Sequence, residues 1–207
     1  MPTMNVSLQP APRATQHAGS ATTGVWVGVA TISMSFAAYT SALVVRQGSA
    51  TDWLHFHLPF VLYVDTALIL ASSVTLERAR RNHVPKAEDE GRDVISLPGP
   101  ASRTATWLGY TFLLGLLFVA GQLLAWRQLA AQGLFLATNP SSAFFYILTA
   151  LHGLHLLGGL CALIYVRRRV QNGALLGAKP ALAAASLYWH FMAVLWVSIL
   201  LLLIFRF

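Results

Sequence analysis

The sequence predicts an all-α integral membrane protein, a bundle of five transmembrane helices. Two observations carry most of the weight. The 207 residues are 56% hydrophobic and only 10% charged, with a mean hydropathy of +0.60, whereas a soluble domain carries about 25% charged residues. The apolar residues also gather into five runs, each meeting or approaching the roughly 20 residues that a helix needs to cross the hydrocarbon. A third observation concerns function. The few polar side chains inside those runs recur at helical spacing, and buried polar residues in membrane spans tend to face protein rather than lipid.

Residues 1–22 are rich in Pro, Ala, Thr and Gln and read as a flexible tail. They lack the basic stretch, short apolar core and cleavage site of a signal peptide. Residues 23–207 form the membrane domain. Its spans are expected at about 24–45, 58–76, 106–126, 142–166 and 182–205. Trp26, Trp53, Trp107, Trp126 and Trp189 stand near the proposed span ends, where interfacial tryptophans anchor helices. The connection 77–105 is the one long loop and reads as a solvated linker of mixed charge.

Lys and Arg set the orientation. Arg13, the loop residues Arg78, Arg80, Arg81, Lys86, Arg92 and Arg103, and then Arg167, Arg168, Arg169 and Lys179 fall on alternate connections. Only Arg46, Arg127 and Arg206 fall on the other side. The positive-inside rule therefore places the N-terminus in the cytoplasm and the C-terminus outside. The net charge of +7 belongs to these loops, so no nucleic acid partner is expected. The single Cys161 offers neither an internal disulfide nor a zinc motif.

The fourth span carries Thr149, His152, His155 and Gly159 along one side of a helix, beside Gly153 and Gly158. Small residues let another helix approach closely. The expected partner is the fifth span, with Tyr188, Trp189 and His190. Together these seven residues form the predicted seam. Asp65 lies about seven residues into the second span, roughly 10 Å deep, and a mid-span Asp costs on the order of 2.5–3.5 kcal/mol to insert. It is therefore expected to be paired, hydrogen-bonded or neutral, with a capping or helix-to-helix hydrogen bond as the plainest reading and a proton relay as the sharper one. Arg78, Arg81 and Arg167, at cytoplasmic span ends, are candidate contacts for lipid headgroups. His55 and His57 flank the second span. Two imidazoles on different helices could ligate a haem b, but His190 lies near the cytoplasmic face while His155 is about midway and His152 nearer the outside. No phosphate-binding loop, dinucleotide fingerprint or HExxH motif is present. No internal repeat suggests an inverted-repeat transporter.

At these residues the chain resembles subunit III of the haem-copper terminal oxidases, in a five-helix form. Phe145 to His155 with Gly158 and Gly159 are similar to that family's FY-x-LTG-x-HG-x-H-x-x-x-G pattern. Tyr188-Trp189-His190-Phe191 with Trp196 resemble its YWHF-x-D-x-x-W pattern. Leu58-Pro59, Asp65-Thr66 and Ser72-Ser73-Val74-Thr75 resemble LP…NT…SS-x-T, and Gly121-Gln122 with Trp126 resemble GQ-x-x-E-W. The chain departs from these patterns at Asp65, where Asn is usual, at Ala125 and Ala193, where acids are common, and at Ile32, where many members carry Glu. The resemblance implies a non-catalytic accessory subunit of a bacterial respiratory oxidase that reduces oxygen and moves protons. It implies no haem or copper in this chain, subunits I and II as partners, bound phospholipid in a cleft, and a place in the inner membrane or a larger supercomplex. An accessory subunit of a nitric-oxide reductase, from the same family, is the near alternative. A haem b-carrying electron-transfer subunit is the more distant one.

Overall fold

The computed structural model describes residues 14–49, 53, 57–82, 100–172 and 175–206. Among them are five helices: α1 (Ala14–Ser49), α2 (Val61–Asn82), α3 (Pro100–Ala131), α4 (Pro140–Gln171) and α5 (Leu175–Arg206). His55, Arg13, Lys86, Arg92 and most of the long connection after the second span fall outside the described residues.

The helices overrun the expected spans. The first begins at Ala14, within the stretch expected to be a flexible tail. The second continues to Asn82 and the third starts at Pro100, so both reach into the expected loop 77–105. The physical reason is simple. An apolar window marks only the part of a helix that lipid can cover, while backbone hydrogen bonding continues as long as the sequence allows. Pro100 and Pro140 open their helices, the position where a missing N–H costs nothing.

Helices α2, α3, α4 and α5 form a closed ring in which each packs on the next: α2 on α3, α3 on α4, α4 on α5, and α5 back on α2. Helix α1 lies outside this ring against α5 and α4. Among its described side chains it buries a narrow stripe, Val29, Ile32, Phe36 and Leu43, whose spacing of three, four and seven is that of one helix face.

Among the described residues, four helices are long and apolar enough to cross a membrane: Thr22–Ser49, Arg103–Ala131, Pro140–Gln171 and Ala178–Arg206. Helix α2 has 22 residues, about 33 Å at 1.5 Å per residue, but its average hydropathy is lowered by the charged end Glu77, Arg78, Arg80 and Arg81 together with Asp65. Ahead of that end, its most polar groups turn inward. Asp65 and Ser72 are buried, while Phe60, Tyr63, Val64, Leu70 and Val74 face outward. An outward apolar face and an inward polar one suit a helix whose solvent is lipid.

The turn between α3 and α4 is tightly built. Gly133 has φ +79°, the left-handed region that favours glycine. Its N–H bonds the Ala130 carbonyl, and Leu134 N–H bonds the Leu129 carbonyl, which together close the helix end. Tyr146 Oη donates to the Leu134 carbonyl at 2.9 Å, tying α4 to that turn.

Candidate functional site: the polar interior of the helix ring

The interior of the ring is built around two tryptophans of α5. Trp189 is fully buried, and its indole Nε1 donates to Ser72 Oγ on α2 at 2.9 Å. Ser72 passes its own hydrogen to the Ile69 carbonyl at 2.6 Å. The indole ring lies in a slot between two glycines. A Cβ on Gly115 of α3 would come within 2.7 Å of its Cη2, and one on Gly159 of α4 within 3.2 Å of its Cε3. Trp189 therefore touches all three other helices of the ring.

Trp196 lies seven residues further along α5, two turns on the same face. Its Nε1 donates to Thr66 Oγ1 at 2.9 Å, and Thr66 bonds back to the Leu62 carbonyl. The ring of Trp196 meets Phe118 edge-on at 4.9 Å and lies 5.2 Å from His152. The two indoles and their hydroxyl partners make two rungs between antiparallel helices: residue 189 reaches 72, and 196 reaches 66.

Asp65 is buried, and Gln122 Nε2 of α3 donates to its Oδ2 at 2.8 Å. The carboxylate sits directly against Gly121, where any Cβ would collide with it. Oδ1 of Asp65 and Oε1 of Gln122 are buried without a hydrogen-bond partner. The expected helix-to-helix bond of Asp65 is thus present, with one oxygen of each partner left over.

The seam predicted from sequence is brought together in part. Gly159, Tyr188 and Trp189 meet closely, and Tyr188 Oη donates to the His155 carbonyl at 3.0 Å. The His155 side chain packs edge-on against Phe36 of α1, and its Nδ1 lies 2.7 Å from the Leu151 carbonyl. A carbonyl only accepts, so Nδ1 carries the hydrogen. Thr149 turns toward α3, where it accepts from Trp126 Nε1 at 3.0 Å and donates to the Phe145 carbonyl at 2.7 Å. His152 is fully buried between Phe118 and Trp196, with both ring nitrogens unpartnered. His190 stands apart, half-buried, within electrostatic reach of Glu77 and Arg80. The histidines of α4 and His190 are not brought together.

The basic end of the bundle is ordered by specific contacts. Arg78 lies over the Trp107 ring, 5.3 Å from its centroid. Arg80 and Arg81 both bond Glu77, at 2.9 and 3.0 Å. Those hydrogen bonds, Arg80 first and Arg81 second, hold the Glu77 carboxyl at about 2, below its usual 4.5. The Arg167 guanidinium lies against Gly109, 3.6 Å from where a Cβ would stand. Among the described residues, no three His, Cys, Asp or Glu side chains gather into a metal-holding group.

Sequence reasoning passed over the partners that complete this interior. Ser72 and Thr66 were visible beside Asp65 but had no assigned counterpart. Gly115 was not singled out. The signal lay in matched spacings, six residues between the two α2 hydroxyls and seven between the two α5 tryptophans, which suit two antiparallel helices.

These features define a class, an all-helical polytopic membrane protein whose interior polar groups join helix to helix. Comparison with known proteins makes the assignment specific. The chain belongs to the cytochrome c oxidase subunit III family, whose model matches residues 32–207. It is similar to the probable cytochrome c oxidase subunit 3 of Mycobacterium tuberculosis, with 37% identity over 45% of this chain and 46% of that protein. The aligned part thus spans about half the length of that relative. It is also similar to the cytochrome bo(3) ubiquinol oxidase subunit 3 of Pseudomonas aeruginosa, with 27% identity over 87% of this chain and 82% of that protein. The cytochrome c oxidase subunit 3 of Corynebacterium diphtheriae is 28% identical over 70% of this chain.

Proposed function

We propose that this chain is the accessory, non-catalytic subunit III of a bacterial haem-copper respiratory oxidase. It serves aerobic electron transport by holding together a complex that reduces oxygen and translocates protons. It packs against subunit I in the cytoplasmic membrane, alongside subunit II and bound phospholipid, with its N-terminus on the cytoplasmic side. The haem and copper reside in the partner subunits. The electron donor is cytochrome c or quinol, since the chain is similar to subunits named for both kinds of oxidase.

The observation that carries this reading is how the interior polar groups are used. Ser72, Thr66, Thr149 and Gln122 are engaged in bonds between helices. His152 is closed in by Phe118 and Trp196. That is the chemistry of a scaffold. The arginines at the basic end support the lipid part of the reading: Arg78 and Arg167 lie near helix ends and Arg81 is mostly exposed, as a contact to anionic headgroups would need.

Affinity purification of the chain from its native membrane in mild detergent, with a visible spectrum and mass spectrometry, tests the proposal. Co-purifying haem- and copper-bearing subunits with oxygen consumption is the expected result. Haem that stays with this chain after harsh detergent removes the partners, and that leaves on His190→Ala, would establish the cytochrome b reading instead.

A further inference from the structure

One level of the ring gathers buried polar atoms that no described residue partners. They are Asp65 Oδ1 on α2, Gln122 Oε1 on α3, and both ring nitrogens of His152 on α4. None of the three residues is more than 5% exposed. Buried polar groups are almost always satisfied, by protein or by ordered water. These lie inside the ring of a single chain, so whatever satisfies them is small.

The bonds between helices place these atoms at the same depth. Gln122 donates to Asp65 Oδ2 across α3 and α2. Trp126 bonds Thr149 across α3 and α4. One turn back along α3 from Trp126 is Gln122, and one turn on along the antiparallel α4 from Thr149 is His152 or Gly153. Gln122 and His152 therefore share a level. Trp196 of α5 completes it, 5.2 Å from the His152 ring and bonded to Thr66, the neighbour of Asp65. Room is present beside Gln122. A hollow of about 230 Å³ reaches it past Thr149 and Gly153, and one water needs only about 10–15 Å³ of such space. Charge decides the state of the acid. Asp65 forms no salt bridge with a described residue, unlike Glu77. An ionised carboxylate without a cation is costly within a span, whereas the neutral acid adds an O–H donor.

We propose that this level of the ring is a binding site for internal water, which bridges Asp65 Oδ1, Gln122 Oε1 and His152 while Asp65 is kept as the neutral acid. Donors and acceptors then balance. The Asp65 O–H and one imidazole N–H donate to water, and water donates to Gln122 Oε1 and to the bare imidazole nitrogen. A cation would accept nothing from either donor. The bridge also makes the Asp65 proton exchangeable, although bulk solvent does not touch the carboxyl. The inference goes beyond the function proposed above and does not depend on the oxidase assignment.

Infrared difference spectroscopy of the purified native complex in ordinary and heavy water, joined to a cryo-electron microscopy map that resolves water, tests it. The difference between wild type and Asp65→Asn is expected to contain the carbonyl stretch of a neutral carboxylic acid, shifted down in heavy water. The map is expected to show water density between Gln122 Oε1 and the His152 ring. His152→Phe, which removes one end of the bridge, is expected to shift that stretch and to lose the density. Gln122→Met gives the same test from α3 if His152→Phe does not assemble. A difference spectrum without a neutral-acid stretch overturns the proposal, as does a stretch that is the same in heavy water. So does a map in which His152 bonds Gln122 directly, or in which a metal ion occupies the level.

Discussion

Trp189 reaches Ser72 with its N–H and fills a slot made by Gly115 and Gly159. Hydrogen bonds between membrane helices average about 0.6 kcal/mol, because the alternative partners in lipid-embedded states are also protein groups. Truncating a large buried aromatic costs about 3–5 kcal/mol. Ser72→Ala is therefore expected to lower the thermal midpoint of the complex slightly, and Trp189→Ala severely. Gly115→Ala is expected to resemble Trp189→Ala in direction, since a 2.7 Å approach forces the indole to move. A Ser72→Ala variant as unstable as Trp189→Ala, in the same melting measurement, would show that the bond rather than the packing dominates.

Asp65 gives a second test at this scale. It is the residue by which the chain departs from the Asn usual in the resembling pattern. Asp65→Asn preserves an acceptor for Gln122 Nε2 and adds a donor that the unpartnered Gln122 Oε1 can accept. It also removes an acid from the membrane interior, where charge is costly. The variant is expected to assemble at least as well as wild type, measured as complex yield and melting temperature. Asp65→Leu leaves Gln122 buried without its partner and is expected to cost about 1–3 kcal/mol. Markedly lower yield for Asp65→Asn than for wild type would mean that the carboxylate itself is required.

Helix α2 shows both what an apolar pattern conveys and what it hides. The other four helices stand out because each holds a long window of high mean hydropathy with few charged residues. In α2 the end Glu77, Arg78, Arg80, Arg81 and Asn82 lowers the average, and the buried Asp65 and Ser72 lower it further while the outward side of the span stays apolar. The existence and order of all five helices were legible, because helix length and apolarity are local properties. Their true ends were not, since the backbone continues beyond the hydrocarbon at Ala14, Asn82 and Pro100. Which hydroxyl meets which indole was not legible either. The pairing of 72 with 189 and of 66 with 196 depends on which helices are neighbours, and single-helix periodicity does not contain that information. The predicted seam had the same weakness. It assigned the polar stripe of α4 to α5 alone, whereas Thr149 serves α3 and the His155 ring packs on α1.

The end of α2 also carries a pH dependence. Glu77 lies beyond the expected span and is bonded by Arg80 and Arg81, which depress its carboxyl to about 2. A depressed carboxyl stabilises the folded state above the unfolded value of 4.5, and that contribution is lost as pH falls from there toward 2. The partners are largely exposed, at 54% and 78%, so solvent screening keeps the effect small. Glu77→Gln is expected to flatten the acid limb of a stability-versus-pH curve in that window and to leave neutral-pH stability nearly unchanged. An identical acid limb in the variant would place the acid sensitivity elsewhere.

At the scale of the whole molecule, four helices close into a ring around Trp189 and Trp196, and α1 lies against its outside. Scaffold, lipid-facing exterior and interior bonding are what an accessory subunit requires. As proposed above, this chain supports the oxidase without supplying a group that reacts. The most direct measurement compares the native complex with one assembled without this chain, reading haem content and initial oxygen consumption per haem, together with the melting temperature. The account predicts unchanged haem content and a substantial initial rate, with a lower melting temperature and yield. Loss of a stoichiometric haem, or of all oxygen consumption in a complex that still holds its other subunits and full haem content, would contradict it.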